Sequence, residues 1–209
     1  MGFFQWFVRI TGFPLLLLVF RPKRTFEGGK KPALGRRGSV IIASNHTSVF
    51  DYAAMLFAFP LRFLRCAVAE IMYRKNFIFT LFLRLMGCIR VDRENRDFSF
   101  LAKCRRVLDR RGCVLIFPEA RLPRKEEERP LPFKTSAVHL ASESGAPILP
   151  VYTDGNYFGK GRNRIAVGEP LYPRDLYDEE LPYKENVERI NDQLRGKIIE
   201  LGRNYCQGE

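Results

Sequence analysis

The stretch "SNHTSVFD", Ser44 to Asp51, holds one of only two histidines in a chain of 209 residues. It follows the apolar run "VIIA" and precedes "YAAMLFAF". A histidine and an aspartate are the types needed for a general base and the group that orients it. The carboxylate accepts a proton from one imidazole nitrogen and leaves the other to deprotonate a hydroxyl near neutral pH. In a continuous helix, residues five apart diverge by about 140°. His46 and Asp51 therefore meet only across a turn, with His46 outside the helix and Asp51 in its first turn. Ser48 fits an N-cap and places Asp51 at N3, the pattern S-x-x-D. A helix N-terminus favours a charged carboxylate there. The plainer alternative is a capping aspartate beside a structural histidine.

The elements that would hold this pair follow from apolar periodicity. Strands are expected at "SVIIAS" (39–44), "RFLRCAVA" (62–69), "CIRV" (88–91), "CVLIFPE" (113–119), "APILPVYTD" (146–154) and "RIAVGEP" (164–170). Helices are expected at "YAAMLFAF" (52–59), "NFIFTLFLRLM" (76–86), "FSFLAKCRRVLDR" (98–110), "KTSAVHLASES" (134–144, closed by Gly145) and the charged segment 183–205. Apolar strands of 4–8 residues alternating with helices argue for an α/β domain, its mainly parallel sheet covered on both faces. Active sites of such sheets lie beyond the carboxyl ends of the strands. Three polar clusters fall there: Asn45–Asp51, Glu119–Arg124 and Thr153–Asn156.

Residues 1–24 read as a separate, membrane-associating helical segment ahead of a domain at 25–209. The run from Phe3 to Phe20 is apolar but contains Gln5, Arg9, Thr11, Gly12 and Pro14. Pro14 is expected to break or kink a helix. Trp6 and the phenylalanines suit a membrane interface. Arg21, Lys23, Arg24, Lys30, Lys31, Arg36 and Arg37 follow, and each basic residue near an anionic leaflet contributes roughly 1 kcal/mol. The reading is a kinked segment lying in one leaflet, peripheral or monotopic; packing on the protein's own core is the alternative. The net charge of +12 attracts phosphates of lipids, nucleic acids or small substrates. Five cysteines without C-x-x-C spacing argue for free, buried thiols in a reducing compartment.

"NHTSVFD" resembles the H-x4-D block of the glycerolipid acyltransferases. Three further blocks of that family appear in order: "GCIRVDREN" (87–95), "FPEARLPR" (117–124) and "APILPVY" (146–152), with "FKTSAVHLA" (133–141) similar to the helix after the third. The resemblance implies transfer of a fatty acyl group from acyl-CoA or acyl-ACP to the free hydroxyl of 1-acyl-glycerol-3-phosphate, giving phosphatidic acid at the cytoplasmic face of a membrane. It implies His46 as base and Asp51 as its partner, with direct attack on the thioester, no cofactor beyond the donor and no metal. Arg93 is implied in phosphate binding and Glu119 in substrate positioning. The family's glycine is Ala120 here and its threonine–arginine pair is Arg121–Leu122. Arg121, then Arg124, are the candidates for the phosphate-binding arginine, and Lys134 for facing the same phosphate. The apolar segment 76–86 either covers the sheet or meets an acyl chain or lipid. Alternatives are another lysolipid or aminoacyl-lipid acceptor, or a non-catalytic basic protein of the membrane surface. No nucleic-acid module is recognised.

Overall fold

The structure, a computed structural model, describes residues 2–32, 38–74, 76–92 and 99–206. Helix α1 (Gly2–Phe20) precedes strand β1 (Lys23–Phe26), β2 (Val40–Ser44), α2 (Asp51–Ala58), β3 (Leu64–Ala69), α3 (Phe77–Leu85) and β4 (Ile89–Val91). Then come α4 (Ser99–Asp109), β5 (Cys113–Ile116), α5 (Ser136–Ser144), β6 (Ile148–Thr153), β7 (Arg164–Val167) and α6 (Tyr183–Tyr205). The sheet order is β1-β7-β6-β2-β5-β3-β4. The run β6-β2-β5-β3-β4 is parallel, and among the described strand pairs only β6–β7 is antiparallel. This is the expected α/β architecture.

Alternation along β2 sorts the core. Ile41 and Ala43 face a layer built by α4, α5 and α6, which includes Leu108, Leu140, Ile190 and Leu194. Val40 and Ile42 face the other layer, with Met55 of α2, Met86 and Phe20 of α1. Val187, Ile190, Leu194, Ile198 and Leu201 form the buried stripe of α6, at the three- and four-residue spacing of one helix face. Each such side chain contributes about 1.5–3 kcal/mol when fully buried. Gly145 closes α5 in the left-handed conformation, φ 69°. The five cysteines are free thiols, and burial raises the Cys104 and Cys113 thiols to about 12.

Two expectations at the N-terminus are corrected. Strand β1 lies in the segment read as a basic collar and pairs in parallel with β7, Lys23 opposite Arg164. Its four residues, "KRTF", are too polar to show an apolar run. Pro14 does not break α1, which continues to Phe20. Anchors on both sides of it hold the helix to the domain. Gln5 Nε2 donates to the carbonyls of Leu64 and Met86 at 2.8 and 2.5 Å, and Arg9 Nη1 donates to that of Pro60 at 2.8 Å. Beyond Pro14, Phe20 packs against Phe50. The helix is inverted relative to one on a soluble surface: Gln5 and Arg9 are buried, while Phe3, Ile10 and Leu18 are 86%, 69% and 74% exposed. Arg36 and Arg37 lie outside the described residues.

Candidate active site

The parallel register brings the carboxyl ends of β2, β5 and β6 together, with Ala43 opposite Ile116 and Ser44 opposite Val151. Past the end of β2, Asn45 locks onto β6: its Nδ2 donates to the Thr153 carbonyl at 2.9 Å, and its Oδ1 accepts the Thr153 N–H at 2.8 Å. These paired bonds fix the chain direction as it enters the turn carrying His46.

His46 Nδ1 lies 2.7 Å from Asp51 Oδ2. The same oxygen accepts the backbone N–H groups of Thr47 and Ser48 at 2.6 and 3.0 Å. Asp51 Oδ1 accepts the hydroxyls of Thr47 and Tyr157 at 2.8 and 2.5 Å. Five donors thus converge on a side chain with no solvent exposure, a load suited to an ionised, acceptor-only carboxylate. With Asp51 accepting at Nδ1, the proton of a neutral imidazole sits there, and Nε2 becomes the basic nitrogen. The ring stacks on Phe117, with centroids 4.4 Å apart and planes at 18°, and keeps 21% of its side chain exposed.

The expected capping box forms by half. The Asp51 carboxylate reaches back to the Ser48 N–H, but Ser48 Oγ accepts from Phe50 N at 3.3 Å, and α2 starts at Asp51 after Phe50. A turn intervenes because Asp51 is drawn to three consecutive residues, His46, Thr47 and Ser48.

Glu119 is the third sequence candidate that the fold brings here. It stands past the end of β5 rather than ending the strand, because pairing stops at Ile116. Its Oε1 accepts the His46 N–H at 2.7 Å and its Oε2 accepts the Leu131 N–H at 2.9 Å. Both oxygens are therefore engaged by backbone, and the carboxylate acts as a brace between the His46 turn and the segment before α5. Burial raises its pKa, opposed by those two N–H donors. Ala120 follows with φ 63°, a left-handed conformation natural to glycine.

The other candidates stand apart from the pair. Arg121 forms a fork with Glu127, both N–O distances 2.6 Å, and Glu127 also accepts the Arg124 N–H at 2.7 Å. The charged loop is thereby organised around Glu127, whose carboxyl Arg121 pulls down to about 2. Arg124 lines an open cavity with Lys125, Glu126 and Glu127. Lys134 is exposed at the approach to α5. None of the three shares a hydrogen bond or ion pair with His46 or Asp51 among the described residues. Arg93 lies outside the described residues.

Sequence reading missed Thr47 and Tyr157 as partners of Asp51. The polar cluster after β6 was the only signal pointing to Tyr157, which stands just beyond it. Burial and the Asp51 charge raise the Tyr157 pKa, so its hydroxyl stays a donor. No group of three or more His, Cys, Asp or Glu side chains among the described residues converges as a metal site.

Comparison with known proteins places the chain and its fold. A protein from Bacillus subtilis named 1-acyl-sn-glycerol-3-phosphate acyltransferase is 33% identical over 125 residues, 57% of this chain and 60% of that one. The bovine 1-acyl-sn-glycerol-3-phosphate acyltransferase alpha is 28% identical over 175 residues, 78% of this chain and 58% of its own. The chain thus spans roughly half to three-fifths of the length of the curated relatives it matches. The crystal structure of the 1-acyl-sn-glycerophosphate (LPA) acyltransferase PlsC from Thermotoga maritima superposes with a TM-score of 0.66 at 20% identity. It covers 96% of this chain and 80% of that one, which shows a shared fold. The model of the Acyltransferase family matches residues 25–154, a span holding β2 through β6 and both His46 and Asp51. The chain belongs to the Acyltransferase family.

Proposed function

We propose that this protein transfers a fatty acyl group from a thioester, acyl-CoA or acyl-ACP, to the free hydroxyl of 1-acyl-glycerol-3-phosphate, forming phosphatidic acid. The observation that carries the reading is the 2.7 Å contact between His46 Nδ1 and a five-fold hydrogen-bonded, fully buried Asp51. Nε2 takes the hydroxyl proton as the oxygen attacks the thioester carbonyl. The C–S bond then breaks, and the proton passes from the imidazolium to the leaving thiolate. Asp51 holds the imidazole in one tautomer and stabilises the imidazolium between these steps. Glu119 contributes by fixing the His46 backbone, and Arg121 and Arg124 supply cations for the acceptor phosphate. The names of the relatives favour this acceptor; another lysolipid remains the second outcome of the assay below.

The proposed setting is a membrane surface, its cytoplasmic face, with residues 1–24 as the seating segment and 25–209 as the transferase domain. Helix α1 is long and apolar enough to span, yet it touches the domain from Gln5 to Phe20, which favours lying in one leaflet. Its outward apolar face continues onto α3. Phe4 and Phe82 meet at 6.1 Å, and Phe77 and Ile78 are both 79% exposed. Exposure of α3 supports its lipid-contacting reading over the sheet-covering one. Exposed Arg21, Lys23, Lys30 and Lys31 supply charge for anionic headgroups.

The test is thiol release from each thioester with lysophosphatidic acid and a panel of other lysolipids. Release with lysophosphatidic acid that vanishes in His46→Ala, with fold and vesicle binding retained, supports the proposal. Release that persists undiminished in His46→Ala overturns it.

A further inference from the structure

Tyr157 lies outside the four sequence blocks and 106 positions from Asp51, yet its hydroxyl donates to Asp51 Oδ1. Its ring is 3% exposed and is walled by aromatics. Phe20, the last residue of α1, stands 4.8 Å away between centroids, and Phe50 stands 6.0 Å away. Phe158 closes over Phe20 and Phe50 at 5.7 and 5.0 Å. The end of α1 is itself pinned: Asn163 N–H donates to the Phe20 carbonyl at 3.0 Å, and Asn163 Nδ2 donates to Thr153 Oγ1 and Asp154 Oδ1 at 3.1 and 2.9 Å.

We infer that Tyr157 is a positioning residue for the transfer proposed above, holding Asp51 and through it the His46 imidazole, with Phe20 of α1 holding Tyr157. The two oxygens of Asp51 divide the work. Among the described residues, Oδ2 faces His46 and two backbone N–H groups, whereas Oδ1 faces the Thr47 and Tyr157 hydroxyls. Tyr157 therefore sets the rotation of the carboxylate about its own axis and shares its charge with the imidazole. Among the described residues, the titratable groups bonded to the His46 turn are Asp51 on its own turn and Glu119 from the segment after β5, with Tyr157 from the segment after β6 reaching it through Asp51. Removing one hydroxyl changes what Asp51 offers the ring. Helix α1 thus becomes part of the reactive site as well as its proposed lipid seat.

The chain has two histidines, so imidazole NMR reads His46 directly, and His139, bonded to Tyr183 at 2.9 Å, is an internal control. In Tyr157→Phe, which keeps the ring, the His46 titration midpoint is expected to move by about 0.3–1 pH unit while His139 stays put. The shift is upward if only charge sharing is lost, and downward if the carboxylate swings away. The kcat is expected to fall roughly tenfold with little change in KM. A His46 midpoint within about 0.1 unit of the native one overturns the inference. Should Tyr157→Phe fail to fold, Phe20→Leu decides: a smaller displacement supports the inference, and none overturns it. The NMR readout needs no turnover, so an altered His46 in a protein that transfers no acyl group would sink the proposed reaction and leave only the hold of Tyr157 on Asp51 and His46.

Discussion

Substitution of Asp51 separates charge from geometry at this site. In Asp51→Asn, the amide oxygen can occupy the place of Oδ2 and keep accepting from His46, Thr47 N–H and Ser48 N–H. The NH2 then faces the Thr47 and Tyr157 hydroxyls, both of which can turn to accept. All five partners stay satisfied, so the fold should survive. What disappears is the negative charge beside the imidazolium. Thiol release should fall by roughly 10²–10⁴, the worth of a positioned base, or about 2.7–5.4 kcal/mol in the barrier. Asp51→Ala instead removes the acceptor of two half-buried backbone N–H groups and leaves the buried Tyr157 hydroxyl only its 3.5 Å contact with Thr153 Oγ1. At about 1–3 kcal/mol each, the loss is at least about 3 kcal/mol, or roughly 6–12 °C in Tm for a chain of this size. The pair of measurements is thiol release and thermal unfolding by circular dichroism. An Asp51→Asn enzyme within tenfold of native activity, or an alanine variant as stable as the asparagine one, would refute this account.

Other substitutions probe the supports of the site. Gly155 has φ 72°, and a Cβ there would fall 2.5 Å from Thr47 Oγ1; Gly155→Ala should lose about 1–3 kcal/mol of stability and most activity, as urea unfolding and thiol release would show. Glu119 has a raised folded pKa, so between its ordinary value and the raised one the folded state binds the extra proton. Native stability should therefore rise relative to Glu119→Gln as pH falls through that window. A difference in urea unfolding that stays flat as pH falls from neutrality into the ordinary carboxylate range would contradict that sign. Arg121→Ala should raise the acceptor KM about 10- to 100-fold, the value of a charge-assisted bond, with kcat little changed; unchanged kinetics would remove Arg121 from phosphate binding. Serine at Phe3, Ile10 and Leu18 together should abolish sedimentation with anionic vesicles while leaving the melting curve unchanged, since all three side chains point away from the domain.

How much could be read in advance depended on the range of the interaction. The alternation of Val40 to Ala43, the spacing of Val187 to Leu201 and the glycine closing α5 are local patterns, and the elements they imply formed where expected. The meeting of His46 with Asp51 was legible for the same reason: five residues and a turn contain it. Strand β1 was not, because four polar-leaning residues become a strand only when β7 lies beside them. Nor could spacing show that Gln5 and Arg9 turn inward toward the carbonyls of residues 59–86. Glu119 announced itself as a carboxylate near the site, but its use as a brace depends on where Leu131 passes. Tyr157 reaches Asp51 only because the crossovers set β6 next to β2 and β2 next to β5. Hydrophobic period and turn chemistry act over a few bonds and are written in the chain. Which distant hydroxyl completes a buried carboxylate is decided by strand order and layer packing, through contacts between residues a hundred positions apart that no local pattern encodes.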